Sequence, residues 1–180
     1  ADRQAAASAA LGLLLVAFCL KSAVVPLHTW LPASYPAAPP AVAAVFAGLL
    51  TKVGVYALLR MVPLLLPTAD AVHRGLLWAG VATMLIGVVG AVAQRAVARV
   101  LSFHIVSQIG YMVAALGLLA ADALAVRALG LAAAVFYIFH HIVVKANLFL
   151  VGGTIRRWRG TDDLAALGGL ATGAPWLAAL

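Results

Sequence analysis

The sequence predicts an all-α, polytopic membrane helix bundle, and three observations carry that prediction. Of its 180 residues, 66% are hydrophobic and only 9% are charged, far from the roughly 25% charged residues of a soluble domain. The hydrophobic residues fall in runs close to the length of about 20 residues that crosses a bilayer as a helix. All three lysines, Lys21, Lys52 and Lys145, lie inside such runs, whereas the nine arginines lie at their edges or between them. There is no glutamate, and the five aspartates (Asp2, Asp70, Asp122, Asp162 and Asp163) also fall outside the runs. An ammonium at the bilayer centre costs about 2.5–3.5 kcal/mol on insertion scales, so such residues persist mainly where they face a protein interior and serve ion or proton movement. Three of them together suggest a relay.

The elements follow from run length and from the breakers between runs. The first predicted span covers residues 5–25 and leads into a proline-rich segment, residues 26–40. Further spans are expected at about 41–62, 75–93, 100–121 and 124–153, with a truncated one beginning near residue 175. The whole of 1–180 reads as one transmembrane domain, a fragment of a longer polytopic protein, since it lacks an initiator methionine and a signal-peptide layout and stops inside an apolar run. The third span contains nothing ionisable and reads as scaffold, with Gly80, Gly87 and Gly90 permitting close helix approach. Arg95, Arg99, Arg156, Arg157 and Arg159 fall on one side of the membrane, and Arg3, Arg60, Arg74 and Arg127 on the other. The tighter clustering of the first set assigns it to the cytoplasmic face.

Several function classes drop out. The formal charge of +7 does not argue for nucleic acid, because three of the cations are the buried lysines and the arginines sit where loops meet lipid headgroups. Cys19 is alone, so no disulfide framework is expected. Five histidines without an intramembrane carboxylate make no convincing metal constellation, and adjacent His140 and His141 point about 100° apart on a helix. No phosphate loop, dinucleotide fingerprint or nucleophile elbow is present, so no cofactor is expected.

Four polar constellations remain. Lys21 precedes Pro26 by five residues, and the missing proline N–H leaves the carbonyl of Ser22 without its helical donor; a broken helix beside a buried cation is a recurring transport-site arrangement. Equally, the helix can end there with Lys21 snorkelling to the interface. Lys52 stands midway between Pro40 and Pro63, too deep to reach either surface easily, with Gly48 and Tyr56 one turn away on its face. In the fifth span Tyr137, His141 and Lys145 recur at four-residue intervals as one polar stripe, with His140 to the side. Histidine titrates near neutral pH and desolvation lowers a lysine's proton affinity, so the two can exchange protons; interhelical hydrogen bonding is the structural alternative. In the fourth span His104, Ser107, Gln108 and Tyr111 share a face that can either pass protons or pack helices.

At these same positions the chain resembles a known family. Residues 21–32 (KSAVVPLHTWLP) resemble the lysine-to-WLP signature of the antiporter-like proton-translocating subunits of respiratory complex I, membrane-bound hydrogenases and Mrp-type cation/proton antiporters. Residues 34–36 (SYP), 44–60 (AVFAGLLTKVGVYALLR), 101–111 (LSFHIVSQIGY) and 140–153 (HHIVVKANLFLVGG) are similar to the D-subunit family of Mrp antiporters. The resemblance implies two inverted five-helix repeats, each with a broken helix, of which this chain takes the end of the first and the start of the second. It implies that Lys21, Lys52, His141 and Lys145 form the proton relay; the residues that spacing and the helix break place in support of it are Pro26, Tyr56, His104, Ser107, Gln108, Tyr137 and His140. It further implies a multi-pass subunit in the plasma membrane of a prokaryote. Its partners would be the lipid bilayer and other membrane subunits, carrying protons, with sodium bound elsewhere in the complex. A redox-driven pump subunit of NADH:quinone oxidoreductase or hydrogenase, and a non-transporting scaffold subunit, are the alternatives.

Overall fold

A computed structural model of the chain describes residues 2–175. Five of its helical stretches are long and apolar enough to cross a membrane: Ala5–Ser22, Pro40–Leu65, Asp70–Val92, Val97–Ala120 and Leu124–Arg159. Among the described residues there is no strand, only an isolated bridge between Ala96 and Asp163. The all-α class is therefore as expected. Apart from Pro175, the sixth apolar stretch lies outside the described residues.

Helix α1 (Asp2–Ser22) is followed by a turn, a short α2 (Trp30–Ser34) and a 3-10 turn, Tyr35–Ala37. The second crossing is composite. It consists of α3 (Pro40–Val45), a π turn (Phe46–Leu50) and α4 (Thr51–Leu65). Then come α5 (Asp70–Val92), α6 (Val97–Gly117), α7 (Leu124–Arg159) and the short α8 (Leu170–Gly173).

Three crossings outrun the apolar runs that signal them. Helix α4 continues to Leu65 with Pro63 in its last turn, where the proline costs only one hydrogen bond. Helix α5 starts at Asp70, so this span is not free of ionisable groups: it carries Asp70, a buried His73 and Arg74. A polar first turn, with an aspartate facing the positive end of the helix dipole, does not interrupt a helix, although it does interrupt an apolar run. Helix α7 runs on to Arg159 and closes at Gly160, whose φ of 72° is left-handed and whose N–H caps the carbonyl of Arg156. At 1.5 Å per residue its 36 residues span about 54 Å, more than the roughly 30 Å hydrocarbon layer.

Helix α6 is the hub. Ile105, Val106, Ile109, Met112, Val113 and Leu116 are buried along it, with α5, α7 and α2 against its flanks. The α5–α6 seam is built on glycine, because a Cβ on Gly80 would lie 2.4 Å from the backbone nitrogen of Ala114, and one on Gly87 2.3 Å from that of Ser107. Backbones this close replace the hydrophobic drive that lipid cannot supply between helices. The α5–α6 turn and the segment after α7 meet at one end of the bundle, where Val97 N–H donates to Asp162 and Leu164 N–H to Arg95.

Candidate functional site

The polar stripe of α7 faces α6 and the π turn. Tyr137 and His141 stack one turn apart, with centroids 6.2 Å apart and planes at 18°. Lys145, 1% exposed, bonds through Nζ to Nδ1 of His104 on α6. One level along, the Tyr137 hydroxyl donates to Oε1 of Gln108. The earlier residue of α6 thus meets the later residue of α7, as antiparallel neighbours require. Between these rungs sits His141, 2% exposed, with neither ring nitrogen partnered among the described residues. It lies within Coulombic reach of Lys52, Lys145 and His104. Ser107 is buried nearby with an unpartnered hydroxyl.

Lys52 completes the cluster from the second crossing. It is 3% exposed, its ammonium donates to the carbonyl of Ala47 inside the π turn, and Lys145 is the charged group that acts on it. The turn also explains which neighbours share its face. Residues 43, 47, 51 and 55, and 44, 48 and 52, are buried at intervals of four, a spacing that drifts around a 3.6-residue helix and that a wider π turn absorbs. Past Thr51 the helix returns to α geometry; Val55 stays inside, and the next member of the Lys52 series leaves the interior. That member is Tyr56, which is 63% exposed. The expected Lys52–Tyr56 pairing is therefore not formed within this chain. Gly48 does face α7, but a Cβ there would meet the Ile142 carbonyl and Ala146 at 3.5–3.7 Å, ordinary contact distances. The glycine that makes room is Gly54, whose Cβ would lie 2.5 Å from Ser22 Oγ and 2.9 Å from Ser22 N.

The break after α1 forms by a different route from the one expected. The helix ends at Ser22, before Pro26 is reached, with Ala23 left-handed at φ 58°. Ala23 N–H donates to Leu20 and Val24 N–H to Cys19, the paired bonds of a Schellman cap. Pro26 follows the cap, exposed, three residues beyond Ala23, where its missing N–H cannot continue the helix. The next turn is held from outside, since Val25 N–H donates to Thr83 Oγ1 at 3.1 Å, so α5 contributes more than scaffold. Lys21 is exposed on the last turn of α1, because α1 packs chiefly on α4 and the lysine faces away from that contact. The buried cation expected at the break is thus not realised within this chain.

His140 is also exposed, stacked on Phe136, and His104 keeps an exposed side while its Nδ1 meets Lys145. The structure therefore brings Lys52, His141, Lys145 and His104 into one cluster with Tyr137 and Gln108, and leaves Lys21, Pro26, Tyr56 and His140 outside it. Sequence reasoning missed Ala23, Gly54, Thr83 and the π turn. Only Gly54 carried a usable signal, as a glycine two residues from a buried lysine.

The family model described as NADH:quinone oxidoreductase/Mrp antiporter, transmembrane, matches residues 2–180. The chain belongs to this family. A relative from Alkalihalophilus pseudofirmus, the D-subunit of a Na(+)/H(+) antiporter, is 47% identical over 165 residues, which are 91% of this chain and 32% of that protein. Hydrogenase-4 component B of Escherichia coli is 34% identical over 181 residues, 96% of this chain and 27% of that protein. Among solved structures, the Mrp complex from a Dietzia species contains a chain 41% identical with a TM-score of 0.87, covering 95% of this chain and 31% of that one. The chain thus spans about a third of the length of the curated relatives it matches. As a family member with five helices among its described residues long and apolar enough to cross a bilayer, it is a membrane protein.

Proposed function

We propose that this chain is part of a proton-translocating subunit of a multisubunit Na+/H+ antiporter, with other membrane subunits as partners in a prokaryotic plasma membrane. The observation that carries the reading is the cluster of Lys52, His141, Lys145 and His104, three of them buried, drawn from three different crossings. A proton passes between Lys52 and Lys145 by way of His141, whose two free nitrogens can take a proton on one side and release one on the other. Lys145 hands on to His104, the member of the cluster with an exposed side. At an effective dielectric near 20, two charges about 8 Å apart repel by about 2 kcal/mol, enough for a proton arriving at one lysine to drive the next one onward. Sodium binds elsewhere in the complex, since none of the five aspartates is buried and a hard cation takes oxygen ligands.

The relatives favour an ion-gradient drive, with 47% identity to an antiporter component against 34% to a hydrogenase component. The redox-driven alternative uses the same cluster with a different energy source. Sodium-dependent proton movement in vesicles containing the complete complex, with no electron donor or acceptor added, tests the choice. Exchange that appears only with a redox couple overturns the antiporter reading.

A further inference from the structure

The segment between α1 and α3 is tied down at both ends by side chains that the relay does not use. At one end the indole N–H of Trp30 donates to the carbonyl of Leu20 at 3.0 Å, the residue before Lys21. At the other the hydroxyl of Tyr35 donates to the carbonyl of Phe46 at 3.0 Å, the first residue of the π turn that precedes Lys52. The two rings meet edge to face, with centroids 6.1 Å apart and planes at 72°. Tyr35 is fully buried, and its ring also packs against Phe46 and, on α7, Phe149.

We propose that Trp30 and Tyr35 form a strut joining the end of α1 beside Lys21 to the π turn beneath Lys52, and that Tyr35 is a positioning residue for Lys52. The reasoning rests on the turn. A π turn holds one residue more than an α turn and has poorer intrinsic bonding, so it persists where something outside the helix supports it. A hydroxyl that donates to Phe46 from the side is such a support. Each residue inserted in or lost from a helical turn rotates everything beyond it by about 100°. Because Lys52 is bonded to Ala47 inside the turn, its ammonium moves with the turn. The groups facing Lys52 are Lys145 and His141 from α7, with His104 of α6 behind them, so a displaced ammonium changes which of them it meets. The strut also gives the proline-rich segment a purpose: a change at the end of α1 reaches the turn through two hydrogen bonds and one ring contact.

The inference rests on the relay reading, and its test separates the two. In the full-length complex reconstituted in vesicles, Tyr35→Phe deletes only the hydroxyl and keeps all three ring contacts, while Trp30→Phe deletes the N–H. Both variants should assemble normally. Both should lower exchange about five-fold, the factor set by loss of one typical hydrogen bond, and displace its pH profile in the same direction. An assembled Tyr35→Phe complex with full exchange and an unmoved profile overturns the proposal. Failure of Tyr35→Phe to assemble also overturns it, because the hydroxyl is then needed for folding. A displacement by Tyr35→Phe alone overturns the strut. Lys52→Ala is measured alongside: if it keeps exchange, the relay reading itself falls, and if it is inactive while Tyr35→Phe is normal, only the positioning role falls.

Discussion

Lys52 is expected to be the least replaceable single residue. It is buried, held by a backbone carbonyl and faced by a second lysine. In the complete complex Lys52→Ala should abolish proton-coupled sodium efflux while assembly persists, because removing a buried charge relieves a desolvation cost rather than breaking a packed core. Near-normal exchange by the assembled variant would remove Lys52 from the relay. The two histidines on either side of Lys145 make a sharper pair of tests. His104 Nδ1 meets Lys145 Nζ, so His104→Ala withdraws the partner available to Lys145 when it is protonated and should shift the optimum of exchange toward acid. His141 lies within Coulombic reach of both lysines with neither ring nitrogen partnered, so His141→Ala should remove the bridge between them and lower exchange per assembled complex. Exchange measured across about pH 6–9 and normalised to assembled complex distinguishes these from a strut role, in which expression falls while exchange per assembled complex and its optimum are unchanged.

At the scale of elements, the break after α1 and its contact with α4 depend on backbone geometry that side-chain chemistry does not reveal. Ala23 sits in the left-handed region, which costs an L-residue about 1–2 kcal/mol and glycine almost nothing. Ala23→Gly should therefore raise the thermal stability of the purified complex or leave it unchanged, and Ala23→Val should lower it. A helix that simply continued through this position would rank the two substitutions the other way. The α1–α4 contact gives a second contrast. Gly54→Ala places a methyl 2.5 Å from Ser22 Oγ and 2.9 Å from Ser22 N, and should cost about 1–3 kcal/mol as an overpacked core does. Gly48→Ala meets only contacts of 3.5 Å and beyond, and should be tolerated. Yields of assembled complex from the two variants, compared side by side, check the difference.

Across the whole molecule, the distribution of arginines becomes a statement about topology. The hydrogen bonds between Val97 and Asp162 and between Leu164 and Arg95 put Arg95 in the α5–α6 turn, and Arg99 in the first turn of α6, at the end of the bundle where α7 carries Arg156, Arg157 and Arg159. Arg74 and Arg127, in the opening turns of α5 and α7, belong to the opposite end. Cysteines introduced at Arg95 and Arg157 should react with a membrane-impermeant thiol reagent from the same side, the cytoplasmic one, and cysteines at Arg74 and Arg127 from the other. Labelling of the Arg95 and Arg157 positions from opposite sides would contradict the arrangement.

Composition and periodicity were enough for the helical membrane class and for singling out most of the buried residues that cluster, because a bilayer leaves few ways to be stable. Apolar length sets what spans, and a lysine deep inside such a length must find an interior. That is why Lys52 and Lys145 could be singled out from composition alone, and why Tyr137, His141 and Lys145 could be aligned by simple periodicity. Lys21, one residue from a helix end, could not be placed that way. Tertiary packing settled what periodicity cannot carry. The four-residue burial pattern through residues 43–52 needed a π turn, and with it Tyr56 left the face of Lys52. Lys145 found its partner in His104, 41 residues away in sequence, and the helix break is capped at a left-handed alanine, with the turn after it held by a threonine from another crossing. Each of these depends on which backbone lies alongside, a relation between distant parts of the chain that no local pattern of residues encodes.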